Sequence, residues 1–223
     1  MTDGKRVGVF GGTFDPIHVG HLAAVEDAAH ILGLTRVLFV PNRQPPHKVG
    51  KKVSAATDRV AMVERAIADN PQFELSLIEQ ERSGLSHIID TMRELQNERG
   101  ADARLVFLVG CDALPDLHRW YQPQALLDEF EVVVMDRPTG RAIDWSEVER
   151  HFPLIREQVQ TVHVAQLEIS GEDIRRRVKE GLPIRYQVLP PVERYILRRG
   201  LYRQEDGTGS QSFPINPGYR SDR

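Results

Sequence analysis

A single cysteine, Cys111, occurs among 223 residues, so no disulfide can form within the chain. Neither sign of charge is in excess, since 29 lysines and arginines stand against 32 aspartates and glutamates, for a formal net charge of -3. A nucleic-acid partner, which calls for a basic surplus, is therefore not indicated. No apolar run approaches the length of a membrane span, and the opening Met1-Thr2-Asp3-Gly4-Lys5 is not a basic segment followed by an apolar one. These absences predict a cytoplasmic protein that acts on a small ligand. A hydrophobic content of 40% and a charged content of 27% are ordinary for a soluble chain, and the length suits one α/β domain with a sizeable core but is short for two.

What the sequence does contain is concentrated in Gly11-Gly12-Thr13-Phe14-Asp15-Pro16-Ile17-His18-Val19-Gly20-His21-Leu22, entered from the apolar run Val7-Gly8-Val9-Phe10. Two glycines where a strand ends let a ligand approach the main chain closely. Pro16 presets a turn, and the period of Ile17, Leu22, Val25, Ala28, Ala29 and Leu32 predicts an amphipathic helix that ends at Gly33. His18 and His21 then fall on its first turn, three residues apart on one face, where free N–H groups and the helix dipole favour an anion. Gly20 keeps the surface between them open. The glutamate of an H-E-x-x-H zinc site is missing and no third ligand lies nearby, so the pair reads as a phosphate site rather than a metal site.

Further along, Arg36 to Val40 is a short apolar strand that completes a βαβ unit, and the loop Asn42-Arg43-Gln44-Pro45-Pro46-His47-Lys48 leaves its carboxyl end. From that spacing alone, Lys48 or His47 reaching a phosphate and a solvated surface loop are equally good readings. Thr57-Asp58 is expected to cap a helix running to Asp69, Phe73 to Ile78 to form a strand, and a helix to run from near His87 to Arg99. Leu105 to Val109 reads as a central parallel strand that delivers Gly110-Cys111-Asp112 to the same sheet edge. Asp112 can there accept hydrogen bonds from ribose, hold a hydrated Mg²⁺ or cap a turn. Trp120, beside Tyr121, reads either as a core residue or as a flat indole for a ligand, and stacking on a cationic heteroaromatic ring adds about 1 to 2 kcal/mol. Ala125 to Phe130 reads as a helix, Val132 to Met135 as a strand, Asp144 to Gln158 as a surface helix broken at Pro153, and Thr161 to Leu167 as the last strand. Ser170 with Asp173 forms a helix start, and Arg175, Arg176 and Arg177 follow against the dipole, a conflict that a bound triphosphate would resolve.

The stretch GGTFDPIHVGHL resembles the first motif, ending in H-x-G-H, of the nucleotidyltransferase superfamily, and in its full form that of the bacterial nicotinate-nucleotide adenylyltransferases. The resemblance extends over about Arg6 to Tyr202. It includes the P-x-x-x-P-P-H-K loop, a segment matching R-x-G-x-S-Y-T-x-D-T-L at Arg82, Gly84, Ser86, Asp90 and Thr91, G-x-D-A/S-L at Asp112, the Trp120-Tyr121 pair, R-P at Arg137, and I-S-S/T-T-x-I-R at Ser170, Ile174 and Arg175. His87 and Ile88 stand where tyrosine and threonine are usual, and Gly171 and Glu172 where serine and threonine are.

The resemblance implies a single Rossmann-like nucleotidyltransferase domain, a doubly wound parallel sheet over residues 1–202, and the sequence pattern adds a disordered tail over 203–223. It also implies adenylyl transfer from ATP to nicotinate mononucleotide in NAD biosynthesis. Catalysis then falls to His18, His21 and Arg175, and ATP binding to Gly11, Gly12, Thr13, Phe14, Gly20, Lys48, Arg137 and Ser170. Mononucleotide binding falls to Asp15, Asp112, Trp120 and His87, with the tryptophan stacked on the pyridine. Mg²⁺ is expected to bridge ATP phosphates with few or no protein ligands. A homo-oligomer is compatible with all of this. Two rival readings are a nucleotidyltransferase with another phosphate acceptor and a non-catalytic nucleotide-binding regulator that retains the fold.

Overall fold

The computed structural model describes residues 6–44, 53–136 and 143–203. Among them, six strands form one sheet: β1 Arg6–Gly12, β2 Arg36–Pro41, β3 Phe73–Leu75, β4 Arg104–Gly110, β5 Glu131–Asp136 and β6 Val159–His163. Their spatial order is β3-β2-β1-β4-β5-β6 and every pairing is parallel. Val9 of β1 pairs with Leu38 on one side and Phe107 on the other. The chain thus starts in the middle of the sheet, builds one way to β3, then returns past β1 to β4. That reversal leaves a crevice at the carboxyl ends of β1 and β4, where open α/β sheets take their ligands.

Helices cover both faces, which explains why β4 is buried continuously from Leu105 to Val109 rather than alternating with polar residues. Phe10, Val37, Phe39, Val106, Leu108 and Val133 point to one face and pack with α1 Val19–Leu32, α2 Ala56–Ile67, α8 Gly171–Lys179 and α9 Pro190–Arg199. The alternate residues Val9, Leu38, Phe107, Val109 and Val134 meet α4 Ile88–Arg99, a 3-10 segment Cys111–Arg119, α5 Pro123–Glu129, α6 Trp145–Glu149 and α7 Ile155–Gln158. A four-residue helix, α3 Ile78–Glu81, lies before α4. Among the described residues, no helix is long and apolar enough to cross a membrane.

Several boundaries differ from expectation for tertiary reasons. Thr57-Asp58 is no cap, because Ala55 holds that position without a side-chain bond, and Asp58 is buried inside α2, accepting from Tyr195 Oη at 2.8 Å and Arg199 Nε at 3.2 Å. The strand expected over Phe73 to Ile78 stops at Leu75, where its pairing with Phe39 of β2 ends, and Ile78 opens α3. The last strand starts earlier than Thr161, since Val159 pairs with Val132 and the ladder ends at Asp136 with His163. Asp144 to Gln158 is two short helices rather than a surface helix: Phe152 and Ile155 are buried against the second face of the sheet. The tail from Gln204 onward lies outside the described residues.

Candidate active site

β1 hands the chain to a tight loop whose geometry depends on Gly12 and Phe14. Phe14 adopts a left-handed φ of 49°, and a Cβ on Gly12 would lie 2.9 Å from its ring, so only glycine lets that ring fold back across the strand end. The loop passes a cis Asp15-Pro16 bond and buries Ile17, which is not helical. Helix α1 therefore begins at Val19 and not at Ile17, and His18 is its N-cap, with extended φ -143° and ψ 168°. His21, at the third helical position, is still brought onto His18: the rings stack with centroids 3.6 Å apart at 22°. His21 Nδ1 accepts the His18 backbone N–H at 3.3 Å, so its own hydrogen sits on Nε2. Phe14 meets the same ring edge-on at 5.5 Å. A Cβ on Gly20 would come within 3.1 Å of His18 Nδ1, so the glycine leaves room for that ring.

The N-terminus of α8 faces the N-terminus of α1 across a cavity of about 420 Å³, lined by Thr13, Phe14, Asp15, His18, His21, Gly171, Glu172 and Arg175 among others. Arg175 Nη1 donates to the Asp15 carbonyl at 2.6 Å, and a Cβ on Gly171 would stand 2.9 Å from that carbonyl oxygen. Gly171 thus replaces the usual serine where the two segments approach too closely for a side chain. Ser170 caps α8, its Oγ accepting the Asp173 N–H at 3.1 Å, and lines an adjoining groove rather than this cavity.

Asp15, expected among the mononucleotide-binding residues, lines the cavity of the two histidines and not the one that Trp120 walls. Its carboxylate accepts from Tyr202 Oη at 2.6 Å and from the Ser54 N–H at 3.2 Å, on the phosphate side of the loop. Burial, followed by the Asp15 charge and hydrogen bond, holds the Tyr202 hydroxyl far above the ordinary tyrosine pKa. An unfolded tyrosine loses its proton near pH 10 while folded Tyr202 keeps it, so the folded state binds more protons above that pH. The free energy of unfolding is expected to fall above pH 10 by up to about 1.4 kcal/mol per pH unit from this group. Denaturant titrations from pH 9 to 11 on wild type and Tyr202→Phe check this; equal slopes would refute it.

A second cavity, of about 550 Å³, occupies the crevice between β1 and β4. Gly11 and Thr13 line one side, Phe107 to Gly110 the floor, and Ser86, His87, Ile88, Trp120 and Tyr121 the far wall. Trp120 is half-buried, steeply inclined to Phe107 with centroids 6.2 Å apart. His87, the N-cap of α4, lies 4.6 Å from the Tyr121 ring centre. Ile88 packs toward Gly11, its Cδ1 3.7 Å from where a Cβ would be. Asp112 is exposed on the 3-10 segment and does not line this cavity, although its neighbours Gly110 and Ala113 do. Thr13 belongs to both cavities, which places the two side by side. Lys48 and Arg137 lie outside the described residues.

Sequence reasoning missed a buried polar layer beneath these walls. Glu79 is 1% exposed and accepts from Thr91 Oγ1 at 2.8 Å and from Asn42 Nδ2 at 3.1 Å, while Arg82 Nη2 donates to Thr91 Oγ1 at 3.1 Å. Ser86 Oγ accepts the Arg43 and Gln44 N–H groups at 3.1 and 3.3 Å, tying the loop after β2 to the start of α4. Arg59 was missed as well. Its signal was available, since position 59 falls on the apolar stripe with Met62, Val63 and Ala66, where a charged residue is out of place.

Residues 9–177 match the cytidylyltransferase-like family. A probable nicotinate-nucleotide adenylyltransferase of Desulfitobacterium hafniense strain Y51 is 42% identical over 200 residues, 89% of this chain and 96% of its own. Its counterpart in Thermomicrobium roseum is 44% identical over 199 residues, 89% of this chain and 92% of its own. In fold, the chain is similar to Plasmodium falciparum nicotinic acid mononucleotide adenylyltransferase complexed with NaAD. That likeness has a TM-score of 0.71 at 20% identity, over 89% of this chain and 97% of the other.

Proposed function

The chain belongs to the nicotinate-nucleotide adenylyltransferase family, and on that premise we propose that it joins ATP to nicotinate mononucleotide, releasing pyrophosphate and the deamido dinucleotide for NAD synthesis. The observation that carries the site assignment is the pair of adjoining cavities. One is apolar and walled by Trp120; the other is lined by His18, His21 and Arg175; Thr13 stands between them.

In this reading the pyridine ring enters the larger cavity beside Trp120, with His87 and Tyr121 at its wall, and the mononucleotide phosphate is directed toward Thr13. The ATP triphosphate lies in the smaller cavity. A phosphate oxygen of the mononucleotide attacks the ATP α-phosphorus in line. The new P–O bond forms as the bond from the α-phosphorus to the oxygen bridging to the β-phosphate breaks, and the electron pair leaves with pyrophosphate. No covalent enzyme intermediate is needed, because the attacking group is already anionic; positioning and charge stabilisation are the protein's contribution. His21 presents Nε2–H to the α-phosphate oxygens, His18 steadies that ring by stacking and faces the triphosphate, and Arg175 takes the charge that develops on the leaving group. We assign Asp112, at the rim, to the sugar of the mononucleotide, and Ser170, Lys48 and Arg137 to the ATP side.

Mg²⁺ accompanies ATP as part of the substrate in this scheme. The donor set fits that role: of the two carboxylates at the phosphate cavity, Asp15 spends both oxygens on Tyr202 and Ser54, which leaves Glu172. The ion supplies charge neutralisation between phosphates. The lone cysteine fits a reducing cytoplasm, where we place the reaction.

A second reading, transfer to another phosphate acceptor, is favoured by Ile88, which cannot supply the hydroxyl contact that a threonine would make to the ring substituent. Incubation with ATP, Mg²⁺ and nicotinate mononucleotide, nicotinamide mononucleotide or unrelated phosphate monoesters separates the readings by pyrophosphate release. The expected result is turnover with nicotinate mononucleotide at the highest kcat/KM. Product with a non-pyridine acceptor alone would replace the first reading by the second, and binding without product would make the protein a regulator.

A further inference from the structure

Arg59 of α2 is 1% exposed, and its guanidinium donates to three main-chain carbonyls from three separate segments. Nη1 reaches Thr13 O at 2.8 Å, Nη2 reaches Arg43 O at 3.2 Å, and Nε reaches Ser54 O at 3.1 Å. Each of those segments leads to a different part of the site. Thr13 borders both cavities. The Arg43 N–H is held by Ser86 Oγ, which is followed directly by His87 and Ile88 at the wall of the larger cavity. The Ser54 N–H holds the Asp15 carboxylate, whose own carbonyl takes Arg175. A path of hydrogen bonds therefore runs from Arg175, through Asp15, Ser54, Arg59 and Arg43, to Ser86.

The chemistry of the side chain suits such a junction. A guanidinium is a planar fork whose N–H directions are fixed relative to one another, so three simultaneous acceptors define the relative positions of the segments that carry them. A buried cation with no carboxylate in direct contact among the described residues is costly to maintain for packing alone. Its countercharges, Asp15 and Glu79, act at longer range, and burial lowers its affinity for its proton while both raise it.

We propose that Arg59 is a positioning residue for adenylyl transfer: it sets the phosphate loop, through Thr13, against the acceptor wall, through Arg43, so that the two substrates meet in line. The proposal rests on the two-cavity reading above. Displacing reacting groups by about 1 Å costs on the order of 10²-fold in rate, whereas each cavity keeps its own lining when the fork is lost. Arg59 substitutions are therefore expected to act on kcat more than on binding.

The test compares wild type with Arg59→Met, which keeps the volume, and Arg59→Lys, which keeps the charge but not the fork. Folding is followed by circular dichroism, the Kd of ATP and of nicotinate mononucleotide by calorimetry, and kcat by pyrophosphate release. The expected result is that both variants bind each substrate within about threefold of wild type and lose at least about tenfold in kcat per folded molecule, with no rescue by lysine. A kcat within twofold of wild type in either folded variant, a loss confined to the KM of one substrate, or rescue by lysine would overturn the proposal. Failure of both variants to fold would assign Arg59 to stability and overturn it as well. A wild-type protein that turns over no acceptor would fail the functional reading itself, whereas an active wild type with unaffected variants fails only the role of Arg59.

Discussion

His21→Ala is expected to lower kcat by on the order of 10²-fold or more while the KM of either substrate moves by only a few-fold. Its ring is fixed from three sides: Nδ1 takes the His18 N–H, the His18 ring stacks on one face, and Phe14 abuts it edge-on. A donor held this way needs no reorganisation as charge develops on the α-phosphate oxygens, and removing one such preorganised donor costs about 2.7 to 4 kcal/mol. The ground state loses less, because ATP retains Arg175 and the helix N-termini that border the same cavity. Steady-state kinetics with both substrates varied, on protein shown by circular dichroism to be folded, checks the split. An unchanged kcat would remove His21 from the reaction, and a large rise in the KM of ATP at constant kcat would make it a binding residue only.

The same stretch shows how far a sequence can be read and where it stops. A parallel strand, two glycines and paired histidines were legible in Gly11 to Leu22 because strand burial and histidine spacing are local properties. The placement of His18 was not, because the helix starts after Ile17, and Ile17 is held in a buried loop by the sheet beneath it. Asp15 itself lines the phosphate cavity, yet its partner Tyr202 is 187 positions away, a separation no pattern bridges. β1 runs two residues past Phe10, with Gly11 and Gly12 still paired to Val40 and Pro41, whereas the strands β2, β4 and β5 matched expectation within about a residue because burial on both faces writes apolar runs. The edge strands β3 and β6 did not, since each has a single neighbour and its length is set by that neighbour's ladder. Arg59 and Glu79 belong to the same class as Tyr202. A charged residue on an apolar stripe announces that something is unusual, but the three carbonyls that receive Arg59 come from segments that only the fold assembles.

Arg175→Ala is expected to reduce kcat by on the order of 10²-fold or more and to raise the KM of ATP, with Arg175→Lys recovering little. The guanidinium has two tasks. Nη1 holds the Asp15 carbonyl at 2.6 Å, fixing the loop that leads into the first turn of α1 where both histidines stand, and the rest of the group borders the cavity in which the leaving pyrophosphate gathers charge. A lysine ammonium on a flexible stem lacks the planar fork that serves both positions at once. Neighbouring residues sharpen the dependence. At the first turn of α8, Gly171 contributes no hydroxyl and has no room for one, and the Glu172 carboxylate repels phosphate where a threonine would donate to it. Charge neutralisation on this side of the cavity therefore rests more heavily on Arg175 than it would if hydroxyls shared it. Two consequences distinguish this account from loss of a stabilising contact. Glu172→Thr in an otherwise wild-type chain should lower the KM of ATP, and in the Arg175→Ala background it should restore part of the lost kcat, because repulsion matters most when the compensating cation is gone. Equal effects of Glu172→Thr in the two backgrounds, measured as a double-mutant cycle on kcat/KM for ATP, would show that the two side chains act independently and that the charge argument is wrong.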